Sequence, residues 1–253
     1  MKITFTSARN DFAQQAFSEL TKLYGQQPIA DCDVVVALGG DGHVLHALYD
    51  AIHHGKPIFA MRRTNSVGFM CNEYKTNDLQ ERLQAAQKVI LHPLHLAAET
   101  VDGHKKEALA INEVTILRET QQSARLAITV DGVERIAQYS GDGILVSTPA
   151  GSTAYNRSCG GPIMPLDANT LVMTAISGYR PRRWSYAVLP QDSEIAITAL
   201  ETTKRPVRIE AGSAVIHNAA RATVRLDRTK NLALLFDPDQ HLGERIIREQ
   251  FML

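Results

Sequence analysis

Three glycines and an aspartate, Gly39-Gly40-Asp41-Gly42, form the segment whose residue types point most directly to chemistry. They lie between an apolar run and a helical pattern. Glycines let backbone N–H groups turn toward an anion, and they leave room for a phosphate where a Cβ would otherwise stand. The N-terminus of the following helix adds a partial positive charge. The sequence therefore predicts that Gly39 and Gly40 bind a phosphate group.

Asp41 is unexpected in a loop that binds only phosphate, because its carboxylate repels an anion. The carboxylate becomes useful if a hydroxyl attacks the phosphate, since it can orient that hydroxyl and take its proton. The structural alternative is that Asp41 only caps the helix. The loop is not a G-x-G-x-x-G fingerprint, because Leu45 occupies the third glycine position, and the chain contains no G-x-x-x-x-G-K-[ST].

A second group of small and hydroxyl-bearing residues lies between positions 140 and 162. It starts with Ser140-Gly141-Asp142-Gly143, continues through the Gly-Ser-Thr-Ala-Tyr run at 151–155, and ends with Gly160-Gly161-Pro162. Such residues offer hydrogen-bond donors to a ribose and a base, and Tyr155 can stack or hydrogen-bond. An ordinary surface loop is the alternative, but a long loop of this kind inside a β domain is usually functional.

The elements that must position these two segments follow different patterns. In the first part of the chain, strand and helix patterns alternate, which predicts a parallel sheet with right-handed connections. The predicted strands cover 2–6, 33–38 and 57–61, and the predicted helices cover 11–24, 43–54 and 78–89, the last with a capping box from Asp78 to Glu81.

From about Pro93 the helical periodicity largely disappears. Asp102-Gly103 and Asp131-Gly132 each lie between strand-like runs, which is a strong signal for a hairpin. We therefore predict an α/β plus all-β fold: an N-terminal Rossmann-like α/β domain with a parallel sheet at 1–93 and a C-terminal antiparallel β-sandwich at 94–238. A helix at 239–253 is predicted to pack back on the first domain.

Composition excludes several other classes of protein. The 27 Lys and Arg balance the 27 Asp and Glu, so no basic excess favours nucleic acid or an anionic membrane. No apolar run is long enough to span a bilayer, and the start lacks the apolar core of a signal peptide. Three cysteines without C-x-x-C fit the cytoplasm, and nine histidines without H-E-x-x-H predict no metal site.

Taken together, the motifs resemble the ATP-dependent NAD kinase family of bacterial type. The resemblance rests on the Gly-Gly-Asp-Gly loop, the Asn112-Glu113 pair, Asp142-Gly143, and the segment from Thr148-Pro149 to Gly160-Gly161-Pro162. It implies transfer of the γ-phosphate of ATP to the 2′-hydroxyl of the adenosine ribose of NAD, which gives NADP, with magnesium arriving as MgATP. It also implies a homodimer or homotetramer that completes its sites across subunits.

The resemblance assigns roles to individual positions. Asp41 is expected to be the proton acceptor, and Asn112 and Glu113 are expected to hold the adenosine part of NAD. His46, one helical turn beyond the loop, is a further candidate for contact with substrate. The other residues expected to contact NAD are Gly42, Phe69, Asp142, Ala150, Thr153, Ala154, Tyr155, Asn156 and Ser158.

One segment departs from the family pattern. Where the family commonly has N-x-G-x-[LV]-G-F, this chain has Arg63 and Asn65 in place of the asparagine and the first glycine, before Val67-Gly68-Phe69. Arg62 and Arg63 could clamp a phosphate donor, ATP or polyphosphate, or could be solvated. The sequence also leaves two roles for the basic run Arg180–Arg183. A solvated or intersubunit structural role is favoured over contact with a phosphate or a partner.

Two alternative functions also remain open from the sequence. A lipid or sugar-phosphate kinase could share the Gly-Gly-Asp-Gly loop, although the Asn112-Glu113 pair and the Thr-Ala-Tyr run argue against it. A non-catalytic dinucleotide-binding module would keep the binding residues, and the presence of Asp41 argues against it.

Overall fold

The computed structural model describes residues 1–63, 69–238 and 250–251. The described helices are α1 (Asp11–Tyr24), α2 (Asp41–Ala51), α3 (Leu79–Ala85) and α4 (Tyr155–Ser158), with a 3-10 turn at Ala150–Thr153. The described strands are β1 (Ile3–Ser7), β2 (Val34–Leu38), β3 (Ile58–Arg62), β4 (Asn72–Glu73), β5 (Gln87–Leu91), β6 (Leu94–Thr100), β7 (Lys105–Ala110), β8 (Glu113–Arg118), β9 (Ala124–Val130), β10 (Val133–Gly141), β11 (Gly143–Ser147), β12 (Thr170–Ile176), β13 (Tyr186–Pro190), β14 (Ile195–Ala199), β15 (Val207–Ala211), β16 (Ala214–Ile216), β17 (Ala219–Leu226) and β18 (Leu232–Phe236).

The chain forms two compact units. One contains Met1–Leu91 and the described residues from Thr229 onward, and the other contains His92–Arg228. Among the described residues, no helix is both long enough and apolar enough to cross a membrane.

The first unit is built on a largely parallel sheet. Its strand order is β1-β2-β3-β18-β5, with β4 beside β3, and β5 is antiparallel to β18. The helix predicted at 11–24 forms over those residues, because the Asn10 side chain accepts a hydrogen bond from the Ala13 N–H and Gly25, at φ 77°, ends the helix. The buried residues of α1 and α3 pack with β1, β2 and β3 in one apolar core.

Strand β18 lies in this first sheet, although the sequence placed residues 231–236 in the β-sandwich. Its five residues, Leu-Ala-Leu-Leu-Phe, form an almost fully buried apolar run. Such a run suits a central strand covered on both faces, and β18 pairs with β3 on one side and β5 on the other. The alternation between buried and exposed residues that marks sandwich strands is absent from it.

The predicted helix at 78–89 is also different in the structure. It is divided into α3 and strand β5, which pairs along its whole length with β18. Asp78 has left-handed backbone angles and makes no capping bond, so the expected capping box does not form. Of the predicted C-terminal helix at 239–253, only Gln250 and Phe251 are among the described residues.

The second unit contains two antiparallel sheets, ordered β10-β9-β14-β17-β6-β7 and β13-β12-β11-β8-β15-β16. Alternate residues of both sheets contribute to one apolar core, as in a sandwich. Both predicted hairpins form, with β6 pairing with β7 and β9 pairing with β10. Glu113, the first residue of β8, pairs with Ser147 at the end of β11, and β11 leads into the segment 148–164.

Candidate active site

The Gly-Gly-Asp-Gly loop connects the end of β2 to the start of α2. Gly39 is buried, and a Cβ there would lie 2.9 Å from His43 Cβ and 3.0 Å from Ala8 Cβ. Gly40 and Gly42 are exposed, and a Cβ at either position would meet no atom of the described residues within 4 Å. Gly39 is therefore required by packing, whereas Gly40 and Gly42 leave open backbone that a phosphate can approach.

Asp41 does not cap α2, so this structural alternative for it is wrong. Gly40 is the N-cap residue, and no side chain of the described residues caps the helix. The Asp41 carboxylate instead accepts two backbone hydrogen bonds, from the Phe69 N–H to Oδ2 at 2.7 Å and from the Met70 N–H to Oδ1 at 3.0 Å. These bonds hold the carboxylate in a defined orientation beside the two exposed glycines.

The neighbouring candidates of the first unit differ in accessibility. His46 is exposed on α2, one turn beyond the loop. His43 lies 3.0 Å from the Thr6 hydroxyl through Nε2, and burial lowers the pKa of its imidazole. Arg62 is half-buried at the end of β3 and Arg63 is exposed, while Thr64 to Gly68 lie outside the described residues.

In the second unit, Asn112 directly precedes strand β8 and Glu113 is its first residue, and the turn after β11 packs directly against Asn112. The Asn112 carbonyl accepts a hydrogen bond from the Thr148 N–H at 2.9 Å. A Cβ on Gly151 would lie 2.3 Å from that carbonyl oxygen, so only glycine lets the two backbones approach so closely. The glycine thus fixes where Asn112 presents its side chain.

Asn112 Oδ1 and Glu113 Oε2 are buried and have no hydrogen-bond partner among the described residues. Burial raises the pKa of Glu113 to about 7. Buried acceptors without partners are uncommon in native proteins and each requires an explanation. Two such acceptors on adjacent residues are the arrangement expected where a ligand supplies the missing donors.

The predicted contact residues in the segment 150–164 differ in how far they are exposed to solvent. Ala150 and Asn156 are buried, Thr153 and Ala154 are half-buried, and Tyr155 and Ser158 are exposed.

Burial raises the pKa of the Cys159 thiol, and the nearby Glu113 carboxylate raises it further. Burial also raises the pKa of the Tyr155 hydroxyl, to which Cys159 is a hydrogen-bond neighbour. The structure therefore brings Glu113, Tyr155 and Cys159 together.

Asn156 uses its whole side chain inside the protein. Its Nδ2 donates to the carbonyls of Ser152, at 3.2 Å, and Pro162, at 2.9 Å, and its Oδ1 accepts from the Thr174 hydroxyl at 2.6 Å. A Cβ on Gly161 would lie 2.1 Å from Oδ1. These contacts assign the Asn156 side chain to holding the segment against β12, and contact with NAD stays a prediction for this residue.

This assignment gives a direct comparison of two neighbours. We expect Asn156→Ala to lower the free energy of unfolding by about 2–3 kcal/mol, because Thr174 and two carbonyls lose their partner. Ser158→Ala, on the same short helix but exposed, is expected to leave Tm unchanged and to raise KM for NAD. Thermal unfolding with steady-state kinetics checks both, and an unchanged Tm for Asn156→Ala would contradict the assignment.

Asp142 and its flanking glycines have a packing role that the sequence did not indicate. Gly141 and Gly143 were grouped with the donors for a ribose and a base. A Cβ on Gly141 would lie 2.2 Å from the Tyr139 hydroxyl, and one on Gly143 would lie 2.1 Å from the Ile116 carbonyl oxygen. The buried Tyr139 is the signal that was missed, since its hydroxyl donates to the Gly143 carbonyl at 2.7 Å. Asp142 itself forms an ion pair of 2.5 Å with Arg118.

Comparison with known proteins gives consistent matches over the chain. Residues 111–236 match the family model described as the ATP-NAD kinase C-terminal domain. The chain is 46% identical over 250 residues to an NAD kinase of Xylella fastidiosa strain Temecula1, covering 99% of this chain and 96% of that protein. It is 43% identical over 251 residues to an NAD kinase of Hyphomonas neptunium, covering 99% and 98%.

Solved structures show the same fold at lower sequence identity. A yeast NADH kinase in complex with NADH has a TM-score of 0.81 at 18% identity and covers 98% of this chain and 86% of that one. An NAD kinase from Archaeoglobus fulgidus in complex with ATP has a TM-score of 0.73 at 20% identity and covers 98% of both chains.

Proposed function

The chain belongs to the NAD kinase family and is an NAD kinase, and on that premise we propose that Asp41 accepts the proton of the attacking 2′-hydroxyl on the adenosine ribose of NAD. The observation that carries the proposal is the fixed Asp41 carboxylate beside the exposed Gly40 and Gly42. The γ-phosphate of ATP approaches the open glycine backbone at the N-terminus of α2, where the helix favours an anion.

The chemistry asks Asp41 mainly to orient the hydroxyl. Phosphoryl transfer passes through a loose transition state, in which the protein positions the reactants and neutralises charge. A carboxylate is a weak base toward a ribose hydroxyl in the ground state, so it takes the proton late, as the new O–P bond forms. Held by two backbone N–H groups, Asp41 keeps the orientation that this late transfer needs.

The dinucleotide is held by groups of the second unit. Asn112 Oδ1 and Glu113 Oε2 accept hydrogen bonds from the adenosine part, whose amino and hydroxyl groups are donors. Tyr155, which is 39% exposed, offers its ring and hydroxyl. Thr153, Ala154, Ser158 and Asp142 complete this set. Gly42, His46 and Phe69 of the first unit are also proposed to contact NAD.

A divalent cation enters as MgATP, with the triphosphate oxygens among its ligands. Within residues 1–63, 69–238 and 250–251, no three His, Cys, Asp or Glu side chains lie close enough to hold an ion together. The kinship with NAD kinases supports ATP as the donor, and polyphosphate is tested beside it because Arg62 and Arg63 stand at the end of β3.

The experiment is NADP formation by the purified protein with NAD and either MgATP or polyphosphate. We expect NADP with MgATP. Binding of NAD without NADP from any donor would support a non-catalytic module instead. Phosphorylation of diacylglycerol or fructose 6-phosphate in preference to NAD would support a kinase that shares only the loop.

Protonation of Glu113 gives a pH prediction. The ionised carboxylate accepts from a ribose hydroxyl, so NAD binding releases the proton, and affinity rises as pH passes through the raised pKa of about 7. Between pH 6 and pH 8 the ionised fraction rises from roughly one tenth to nine tenths, so Kd for NAD should fall up to about ninefold. Calorimetry without ATP measures this.

Glu113→Gln is the matched control, because it keeps the size of the side chain and cannot titrate. We expect its Kd to be flat over the same range. Tyr155 and Cys159 have raised pKa values and stay protonated there, so neither mimics the effect. A wild-type Kd that is flat, or that rises with pH, would remove Glu113 from the binding site.

The same kinship leads us to propose a cytoplasmic homodimer or homotetramer. Light scattering of the purified protein gives the mass in solution and decides between these states.

A further inference from the structure

Three consecutive residues, Phe69, Met70 and Cys71, all direct a donor at the Asp41 carboxylate. The backbone N–H groups of Phe69 and Met70 donate to this carboxylate, and the Cys71 thiol is a third donor, with its Sγ 3.5 Å from Asp41 Oδ1. The same Sγ lies 3.4 Å from the Gly39 carbonyl oxygen. The thiol therefore contacts both the proposed proton acceptor and the loop that carries it.

The position of Cys71 is fixed by its surroundings. Its side chain is fully buried. The next residue, Asn72, is also buried, and its Nδ2 donates to the carbonyls of Ala60 and Leu235, which belong to β3 and β18. The Asp237 N–H donates to Asn72 Oδ1 at 2.9 Å. Cys71 thus projects from a segment that is fastened to the centre of the first sheet.

The donors divide unequally between the two carboxylate oxygens. Oδ1 accepts from the Met70 N–H and faces the thiol, whereas Oδ2 has the Phe69 N–H as its one donor among the described residues. A carboxylate oxygen accepts through two lone pairs. Oδ2 is therefore the oxygen with an unused lone pair for a substrate hydroxyl.

We propose that Cys71 is a positioning residue for the phosphoryl transfer, whose thiol holds Oδ1 of Asp41 so that Oδ2 is presented to the attacking hydroxyl. The proposal rests on the proposed role of Asp41 as proton acceptor. Small misplacements of a catalytic group reduce the rate strongly, because the reacting atoms must be aligned at short range. Loss of the thiol frees one side of the carboxylate and leaves space into which it can turn.

The test compares Cys71→Ala with Cys71→Ser and with a matched control. We expect Cys71→Ala to lower kcat roughly tenfold, the effect of losing one hydrogen bond to a charged group, with KM for NAD and ATP within about twofold of wild type. Cys71→Ser keeps a hydrogen donor and should restore most of the rate.

Cys32→Ala is the control. Cys32 is equally buried in the same unit, but its thiol donates to the Ile29 carbonyl at 3.3 Å, and it is not among the donors to Asp41. We expect its kcat to be unchanged while its Tm falls by an amount similar to that of Cys71→Ala. If Cys71→Ala does not fold, Cys71→Val serves as the donor-free variant.

Two results would overturn the proposal while leaving the role of Asp41 intact: wild-type kcat in the donor-free variant, or an equal loss of rate in Cys71→Ser. Failure of the underlying function looks different. In that case Asp41→Asn itself would retain the wild-type rate, and Cys71 would have no acceptor to position.

Discussion

Asp41→Asn is expected to lower kcat by about 10²–10⁴, the usual effect of losing a general base. The amide cannot take the proton of the 2′-hydroxyl. It also offers one acceptor oxygen where the backbone N–H groups of Phe69 and Met70 need two, so one N–H faces an amide nitrogen. KM for NAD should change much less than kcat, since the adenosine contacts are proposed elsewhere.

Asp11→Asn is the matched control for this variant. Asp11 is the first residue of α1, as Asp41 is of α2, so the substitution removes the same charge from the first turn of a helix. We expect its kcat to equal that of wild type. Kinetics with MgATP and NAD, combined with calorimetric binding of NAD, separate catalysis from folding. A wild-type kcat in Asp41→Asn would show that Asp41 is not the proton acceptor and that it only holds residues 69–71 by hydrogen bonds.

Gly151→Ala should raise Kd for NAD by roughly 10–100-fold. The new Cβ would lie 2.3 Å from the Asn112 carbonyl oxygen and 2.7 Å from the Ser147 hydroxyl, so buried backbone must move. Overpacking of this kind typically costs about 1–3 kcal/mol, and here the displaced group is the residue that carries an unpartnered acceptor. Calorimetry with NAD measures the change in affinity.

Gly160→Ala, in the same segment, distinguishes steric displacement from general strain. In the part of the chain that the structure describes, a Cβ at Gly160 meets no atom within 4 Å, and its penalty there is a φ of 81°, about 1 kcal/mol. We expect a lower Tm and an unchanged Kd. Wild-type affinity in Gly151→Ala would show that the placement of Asn112 does not matter for NAD.

Local patterns predicted the parts of the fold that local physics determines. The helix at 11–24 follows from its apolar spacing and its glycine end, and both hairpins follow from Asp-Gly turns. The place of β18 could not be predicted in this way. Its partners, β3 and β5, lie far away along the chain, and only its unbroken apolar run hinted at a covered strand.

In the candidate site, too, local sequence patterns predicted some features, whereas others depend on residues that are distant along the chain. The sequence indicated Asp41 and the Asn112-Glu113 pair because their residue types are unusual in such loops. The donors to Asp41 lie 28 and 29 residues further along the chain, so no spacing rule links them to it. Gly141 and Gly151 both lie among small and hydroxyl-bearing residues, so the sequence does not distinguish their roles. In the structure, Gly141 makes room for the Tyr139 hydroxyl and Gly151 makes room for the Asn112 backbone.

Strand β18 also determines the order in which a nascent chain can fold. It lies between β3 and β5 in the sheet, yet it is synthesised after the whole of His92–Arg228. The first unit therefore cannot complete its sheet until Leu232–Phe236 has left the ribosome, whereas the middle unit is contiguous and has all its strands earlier. Domains usually fold from the N-terminus onward during synthesis. In this chain the N-terminal segment is synthesised first, but its sheet can be completed only after β18 has been made. The unit at His92–Arg228 is therefore the first that can fold completely.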